Sequence, residues 1–328
     1  MAYAVGDTIS NSDYNGLLNN TASGTPNAGV AARGINYIAG TGAGEYGLGQ
    51  TELTAVAAAD TIQAAQWNSL FTFMNNIQNH TNITALTSTT AAAAGDVIAI
   101  KAALETDLTA LASAVAGGST SADALTTSAA LQTVTTASEG WDSTATQEVS
   151  ITFGSADKMR WFFNAGGKAR ITVGIVAATE QGKDTAFKDL GTAIGNLDIA
   201  SLATTRSGSG EIETTNGLAL GMRDLTTSYQ TILKLTSDNT NYTANTVEIF
   251  AKLDAAVDSA VTMTIKMVAT DGAADTQFDV GNLSGVAVAI KDTPKMVTTL
   301  FAVTPNFTQG LADPTYSITS ATVSNTVA

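Results

Sequence analysis

Along the chain the apolar positions change period. Through residue 82 they recur at helical spacing, and one pattern occurs in duplicate. Asp7-Thr8-Ile9 leads to Tyr14-Asn15 and Leu17, and Asp60-Thr61-Ile62 leads at the same spacing to Trp67-Asn68 and Leu70. Each copy predicts a capped helix with an aromatic residue and a leucine on one face. In the second copy Ile62, Trp67, Leu70, Phe71, Met74 and Ile77 form the apolar stripe, so two amphipathic helices packed on each other are expected. Between the copies lie Ile35-Asn36-Tyr37-Ile38-Ala39 and a glycine-rich run from Gly40 to Gln50. Gly42, Gly44 and Gly47 formally match G-x-G-x-x-G. A dinucleotide site needs those glycines to open a helix, whereas here more glycine follows and Glu45 would face the pyrophosphate. A flexible or tightly turned connector is the reading for this run.

Residues 83–140 are rich in Ala, Thr and Ser, and their centre is helical in pattern. Val97, Ile100, Leu104, Leu108, Leu111 and Val115 follow one another at intervals of 3, 4, 4, 3 and 4. That spacing keeps a narrow apolar seam on one side of a helix. Two readings follow: a helix packed on its own domain, or a short parallel bundle between identical chains. Gly117-Gly118-Ser119 ends the pattern, and a polar stretch runs on to Ser138.

From Trp141 the period falls to two. Val149–Phe153, Ile171–Val173, Tyr229–Leu235, Val247–Leu253 and Val261–Met267 alternate apolar with polar and are rich in β-branched residues, which predicts half-buried strands. Shorter strands are expected at Val286–Ile290, Leu300–Val303 and Tyr316–Ile318, with one helical interruption from Asp184 to Ile199 carrying Phe187, Leu190, Ile194 and Leu197 on one face. The fold class expected is α+β and multidomain: an N-terminal helical part (1–82), an Ala/Thr-rich, coiled-coil-like helical linker and oligomerisation segment (83–140), and a β-rich, antiparallel sandwich-like part (141–328).

Composition narrows the function classes. Only 13% of the residues are charged, against about 25% in ordinary domains. The net charge is -14, which repels phosphate backbones, so neither nucleic acid nor an anionic membrane is an expected partner. With no cysteine, disulfides, thiolate zinc sites and cysteine nucleophiles are excluded. The amino end, MAYAVGDTIS, shows no basic region or apolar run, and no stretch of about 20 apolar residues occurs. Synthesis in a cytoplasm without Sec-type export or membrane insertion is expected. Scarce aromatics, at 6%, make association between copies an attractive source of stability.

Candidate chemistry is sparse. His80 is the sole histidine and is expected as a solvated or interface residue at a helix end; no nucleophile elbow accompanies it. Asp271, Asp275 and Asp279 are spaced by four beside Gly272, a weak calcium pattern that does not match an EF-hand. No catalytic residue, cofactor or metal ligand is assigned, and an enzyme is not expected.

Several blocks carry a resemblance. Asp13-Tyr14-Asn15, Tyr46-Gly47-Leu48-Gly49-Gln50 and Gln66-Trp67-Asn68-Ser69-Leu70 with His80-Thr81 resemble the start of virion structural proteins of marine cyanophages and related tailed bacteriophages. Arg160–Ile171, with its Phe162-Phe163-Asn164-Ala165-Gly166-Gly167 centre, and Leu225–Ile232 with Tyr242 and Val247–Leu253 resemble later blocks of the same group, in the same order. The resemblance implies a virion protein of the tail or a tail appendage (fibre- or baseplate-associated), located in the phage particle. It implies docking on other virion proteins and self-association, with a trimer favoured by analogy. The Ala/Thr-rich insert departs from the pattern and leaves the place on the particle open. Alternatives are a head or neck decoration or fibre protein, and a host-attachment module that binds a surface glycan through Trp141 or Trp161. Locally, Trp161-Phe162-Phe163 followed by Asn164-Ala165-Gly166-Gly167 reads as a hairpin, Met159–Phe163 against Lys168–Ile175.

Overall fold

The computed structural model describes residues 11–18, 34–42, 46–83, 86–87, 101–117, 125–136, 141, 143–176, 182–273, 276–277, 288–289, 295–308 and 310–328. Among them the chain is mixed α and β. The helices are α1 (Asn11–Leu18), α2 (Ile35–Ala39), α3 (Ala64–Thr81), α4 (Lys101–Ala116), α5 (Ala156–Asn164) and α6 (Gly182–Ile194). The strands are β1 (Leu125–Thr127), β2 (Gln132–Thr135), β3 (Thr144–Thr152), β4 (Lys168–Val176), β5 (Asn196–Ile199), β6 (Thr204–Arg206) and β7 (Ile212–Asn216). After them come β8 (Gln230–Thr236), β9 (Thr246–Leu253), β10 (Thr262–Thr270), β11 (Thr276–Gln277), β12 (Val288–Ala289), β13 (Lys295–Pro305) and β14 (Thr319–Val327). The chain forms two compact units. One comprises Met1–Thr126, Gly154–Gly167 and Thr304–Ser317; the other comprises Thr127–Phe153, Lys168–Val303 and Ile318–Ala328.

The first unit is helical and closes on one apolar cluster. Tyr14, Leu17 and Leu18 of α1, Ile35 and Ile38 of α2, and Trp67, Leu70, Phe71, Met74 and Ile77 of α3 are buried in it. The duplicated pattern is realised as packing: the Tyr14 and Trp67 rings meet edge to face at 5.3 Å, and the Tyr14 hydroxyl donates to the Gln66 carbonyl at 3.2 Å. Asp60-Thr61-Ile62 does not start the helix. Gln63 caps it, its N–H donating to Gln66 Oε1 at 2.8 Å in a capping box. Asp7-Thr8-Ile9 lies outside the described residues. Leu104, Leu108, Leu111 and Val115 of α4 are fully buried in this same cluster. Of the two readings of that seam, the four described positions follow the first, packed within their own chain; Val97 and Ile100 lie outside the described residues.

Residues 156–164 correct the expected hairpin. They form a helix, and the physical reasons lie in the sequence. Ser155 is extended and its hydroxyl accepts from the Lys158 N–H, which caps the N-terminus. Met159, Phe162 and Phe163, spaced by three and one, fall on one helical face and are buried. Asn164-Ala165-Gly166-Gly167 is the C-terminal cap, not a hairpin turn. Gly167 N–H donates to Phe162 O at 2.9 Å and Gly166 N–H to Phe163 O at 3.1 Å, with Gly166 at φ +92°, a Schellman motif.

The second unit holds two six-stranded sheets whose described pairings are antiparallel. One runs β1-β13-β4-β5-β6 with β2 also on β13; the other runs β14-β3-β10-β9-β8-β7. The period-two strands of the sequence sit where expected, and β3, β10 and β9 pair in continuous register: Ile265 lies opposite Val149 on one side and Ala251 on the other. Their apolar residues face inward and their polar residues outward, as in the strict alternation of β9 and β10. Gln147 is one of several buried polar exceptions. It donates to the carbonyls of Val134 and Met296 at 3.2 and 3.0 Å and accepts from Thr298 at 2.7 Å, which links the facing sheets. The expected helix to Ile199 ends earlier: Gly195, at φ +62°, stops α6, and Leu197 belongs to β5. Leu125–Thr127 and Gln132–Thr135 are strands within what the sequence offers as a helical linker. Tyr316–Ile318 is not a strand, and the terminal strand begins at Thr319.

Candidate functional site

In the first unit, polar side chains that look incidental in the sequence hold the backbone together. Residues 51–63 carry no helix or strand, so their peptide groups need partners from elsewhere. Asn15 and Asn36 supply them in the same way. Asn15 donates to Val56 O and accepts from Val56 N, both at 2.8 Å. Asn36 donates to Leu53 O at 2.8 Å and accepts from Leu53 N at 2.9 Å. Each amide thus reproduces what a neighbouring strand would offer. Gln50 repeats the device on Ala312, donating at 3.0 Å and accepting at 3.1 Å. Asn164 Nδ2 donates to the Gly47 carbonyl at 3.0 Å.

The described part of the glycine-rich run is a tight turn and not a phosphate cradle. Leu48 N–H and Gln50 N–H both donate to Ala39 O, and Gly49 N–H donates to Gly40 O. Gly47 and Gly49 take φ of +99° and +75°. A Cβ on Gly49 would come within 2.6 Å of the Trp161 ring, so the close approach of this turn to α5 also requires glycine. Gly44 lies outside the described residues. The earlier blocks that carry the resemblance, from Tyr14-Asn15 through the Tyr46–Gln50 turn and α3 to Phe162–Gly167, therefore meet inside one unit, whereas Leu225–Ile232 and Val247–Leu253 lie in the other.

His80 is not solvated. It is 0% exposed, and its ring stacks on Phe307 at 4.7 Å and 4°. Tyr316 packs edge to face on Phe162 at 5.2 Å, and burial first, then the Asp313 charge, pushes its phenol above the ordinary tyrosine range. These contacts are core packing.

In the second unit, the outward face of the sheet β14-β3-β10-β9-β8-β7 bears a half-exposed aromatic and charged group. Glu148, Lys266, Phe250 and Thr231 stand side by side across β3, β10, β9 and β8. Tyr229 lies over them. Lys266 Nζ is 4.1 Å from its ring centroid and Lys252 Nζ is 4.4 Å away, and its hydroxyl donates to Glu148 at 2.9 Å. Burial and the Glu148 hydrogen bond push the Tyr229 phenol up. Lys234 pairs with Glu248 at 3.2 Å, and Thr231 donates to the same carboxylate at 3.0 Å.

The residues offered by the sequence for chemistry do not assemble. Asp271 pairs with Lys183 in the interior, while Asp275 and Asp279 lie outside the described residues. No group of three metal-ligating side chains occurs among the described residues. Trp141 is no surface platform: it is 7% exposed and meets Phe187 edge to face at 5.0 Å. Trp161 is half-buried against Gly49, with its indole nitrogen buried. Among the described residues, no helix is long and apolar enough to cross a membrane. No family model matches the chain, no curated protein matches its sequence, and no solved structure matches its fold.

Proposed function

We propose that this chain is a non-enzymatic structural protein of a bacteriophage particle, a self-associating component of the tail or a tail appendage that docks on other virion proteins. One observation carries the reading. The earlier blocks that resemble virion proteins, from Asp13 to Gly167, fall in a single unit, while Leu225–Ile232 and Val247–Leu253 belong to the other. In the first unit their polar groups brace backbone instead of facing solvent: Asn15 on Val56, Gln50 on Ala312, Asn164 on Gly47. A catalytic or ligand site would leave such groups aimed at a cleft. In this reading the segment 1–82 is the docking part and the β-rich region 141–328 packs against neighbours. Tail appendages imply a trimer. The α4 seam offers no route to one, because Leu104, Leu108, Leu111 and Val115 are buried within their own chain.

The glycan-binding reading moves with the aromatics. With Trp141 buried, the half-exposed face around Tyr229 and Phe250 is where a sugar ring would stack. The test of the main reading is to raise antibodies to the purified chain and label intact particles by electron microscopy, with mass spectrometry of the same particles. Labelling at the tail or its appendages is the expected result. Absence of the chain from particles, with abundance in infected-cell lysate, refutes it.

A further inference from the structure

We infer that the free edge of β14 pairs with β14 of a second copy, joining two six-stranded sheets about a two-fold axis. This inference rests on the self-association proposed above and gives it a route. β14 is a nine-residue edge strand whose backbone, among the described residues, pairs with β3 alone, while the Ser320 and Asn325 side chains donate to the carbonyls of Leu131 and Thr135. The other strands at the ends of the two sheets are shorter: β1 and β6 have three residues and β7 has five. An unpaired strand edge presents a row of N–H and C=O groups that another strand can complete, and proteins commonly blunt such edges with charge, proline or shortness. β7 is blunted: it is short, and Glu213 in it pairs with Arg206 at 2.9 Å. β14, Thr-Ser-Ala-Thr-Val-Ser-Asn-Thr-Val, contains no charge, no proline and no glycine.

The hydrogen-bond phase shows which groups are open. Ala328 and Thr144 exchange both backbone bonds, Ala328 N–H to Thr144 O at 2.8 Å and Thr144 N–H to Ala328 O at 3.3 Å. Antiparallel pairing alternates from there, so Asn325 and Val327, opposite Gln147 and Ala145, turn their backbone groups away from β3. Among the described residues no strand takes up these groups. Val323, the extra residue where the register shifts between Thr322 and Ser324, is 54% exposed. A bulge usually discourages pairing, but this one places an apolar side chain in solvent instead of a charge.

The occupant follows from charge and symmetry. Two copies of a chain of net charge -14 repel, and they approach at least cost along a strip that carries no charge. An antiparallel two-fold contact also demands that the strand complement itself. In register with that phase, a two-fold axis at Ser324 sets outward-turned residues against each other, Thr322 opposite Asn325 and Ser320 opposite Val327, all of them uncharged. This gives a pair of copies in place of the trimer that analogy implies.

The test uses the full chain, with native mass spectrometry and light scattering at several concentrations. The expected species has twice the 33.4 kDa chain mass. Val323→Lys, which adds a charge at an exposed position, and Val327→Pro, which removes an outward N–H and no bond to β3, should both give single copies with unchanged circular dichroism. Ile212→Lys, the same change on β7, should leave the pair intact. A wild-type chain that stays single, a trimer, or a pair that survives both β14 variants overturns the inference. Particle labelling is independent of these masses. A single-copy chain found on particles overturns the edge pairing alone, and a paired chain absent from particles overturns the virion reading alone.

Discussion

Replacing Asn36 by alanine tests whether side-chain amides stand in for a missing strand beside residues 51–63. Asn36 is 6% exposed and makes two hydrogen bonds to one residue, Leu53. Each bond contributes a net ~1 kcal/mol, and stranding a buried backbone group adds ~1–3 kcal/mol. Leu53 is only partly buried, so water restores some of that loss, and the expected destabilisation is about 2–3 kcal/mol. The assay is urea unfolding followed by fluorescence, since Trp67 and Trp161 both report on this unit. Limited proteolysis should show new cleavage within 51–63. Asn15→Ala removes the same kind of grip three residues further on, at Val56. Because both amides hold one segment, the double variant should fall short of the sum by about 0.5 kcal/mol or more. Single losses under about 0.5 kcal/mol, with no new cleavage, would show that the segment stands without its braces, and strict additivity would show that the two grips are independent.

Leu108→Ala, in the fully buried seam of α4, should destabilise the first unit by ~2–5 kcal/mol in chemical unfolding; a loss under about 0.5 kcal/mol would return the seam to the surface. Gly167→Ala places a Cβ 2.6 Å from the Phe162 carbonyl oxygen, so a drop in melting temperature larger than that of a Gly174→Ala control, whose Cβ meets only an ordinary contact at 3.8 Å, is expected by calorimetry. Trp141→Ala should lower stability by about 3–5 kcal/mol without changing retention on any glycan column, because the ring is interior. The Tyr229 phenol is held above its ordinary value of 10.0, so its contribution is complete below that pH and is lost as pH rises through the higher folded value. Ultraviolet titration should show one late-ionising tyrosine fewer in Tyr229→Phe, with the raised phenols of Tyr14 and Tyr316 remaining, and an unchanged titration curve would refute the assignment.

What was legible in the sequence was local. The alternation of Val247–Leu253 and Val261–Met267 marks β9 and β10 to within a few residues, because one face of each strand is buried and one is wet. The α3 stripe and its contact with the first aromatic repeat were also legible, since helical spacing and a repeated pattern both survive in one dimension. Helix α5 was misread for a specific reason: Asn-Ala-Gly-Gly closes either a hairpin or a helix, and three successive aromatics mask the spacing of Met159, Phe162 and Phe163. Ser155, the capping residue, was the signal that could have decided it. His80 and Trp141 were placed at the surface because an isolated polar or aromatic residue says nothing about what lies over it; Phe307 and Phe187 do. The amide braces were invisible, since Asn15 and Gln50 act on residues 41 and 262 positions away.

The reach of Gln50 to Ala312 governs when the first unit can finish folding during synthesis. A ribosome adding ~5–20 residues per second needs on the order of tens of seconds to travel from one to the other. Until then the cluster lacks Leu311, and before α5 emerges it lacks Ala165 as well. A prematurely released polypeptide would therefore present an unfinished core to chaperones and proteases, however complete its early helices are.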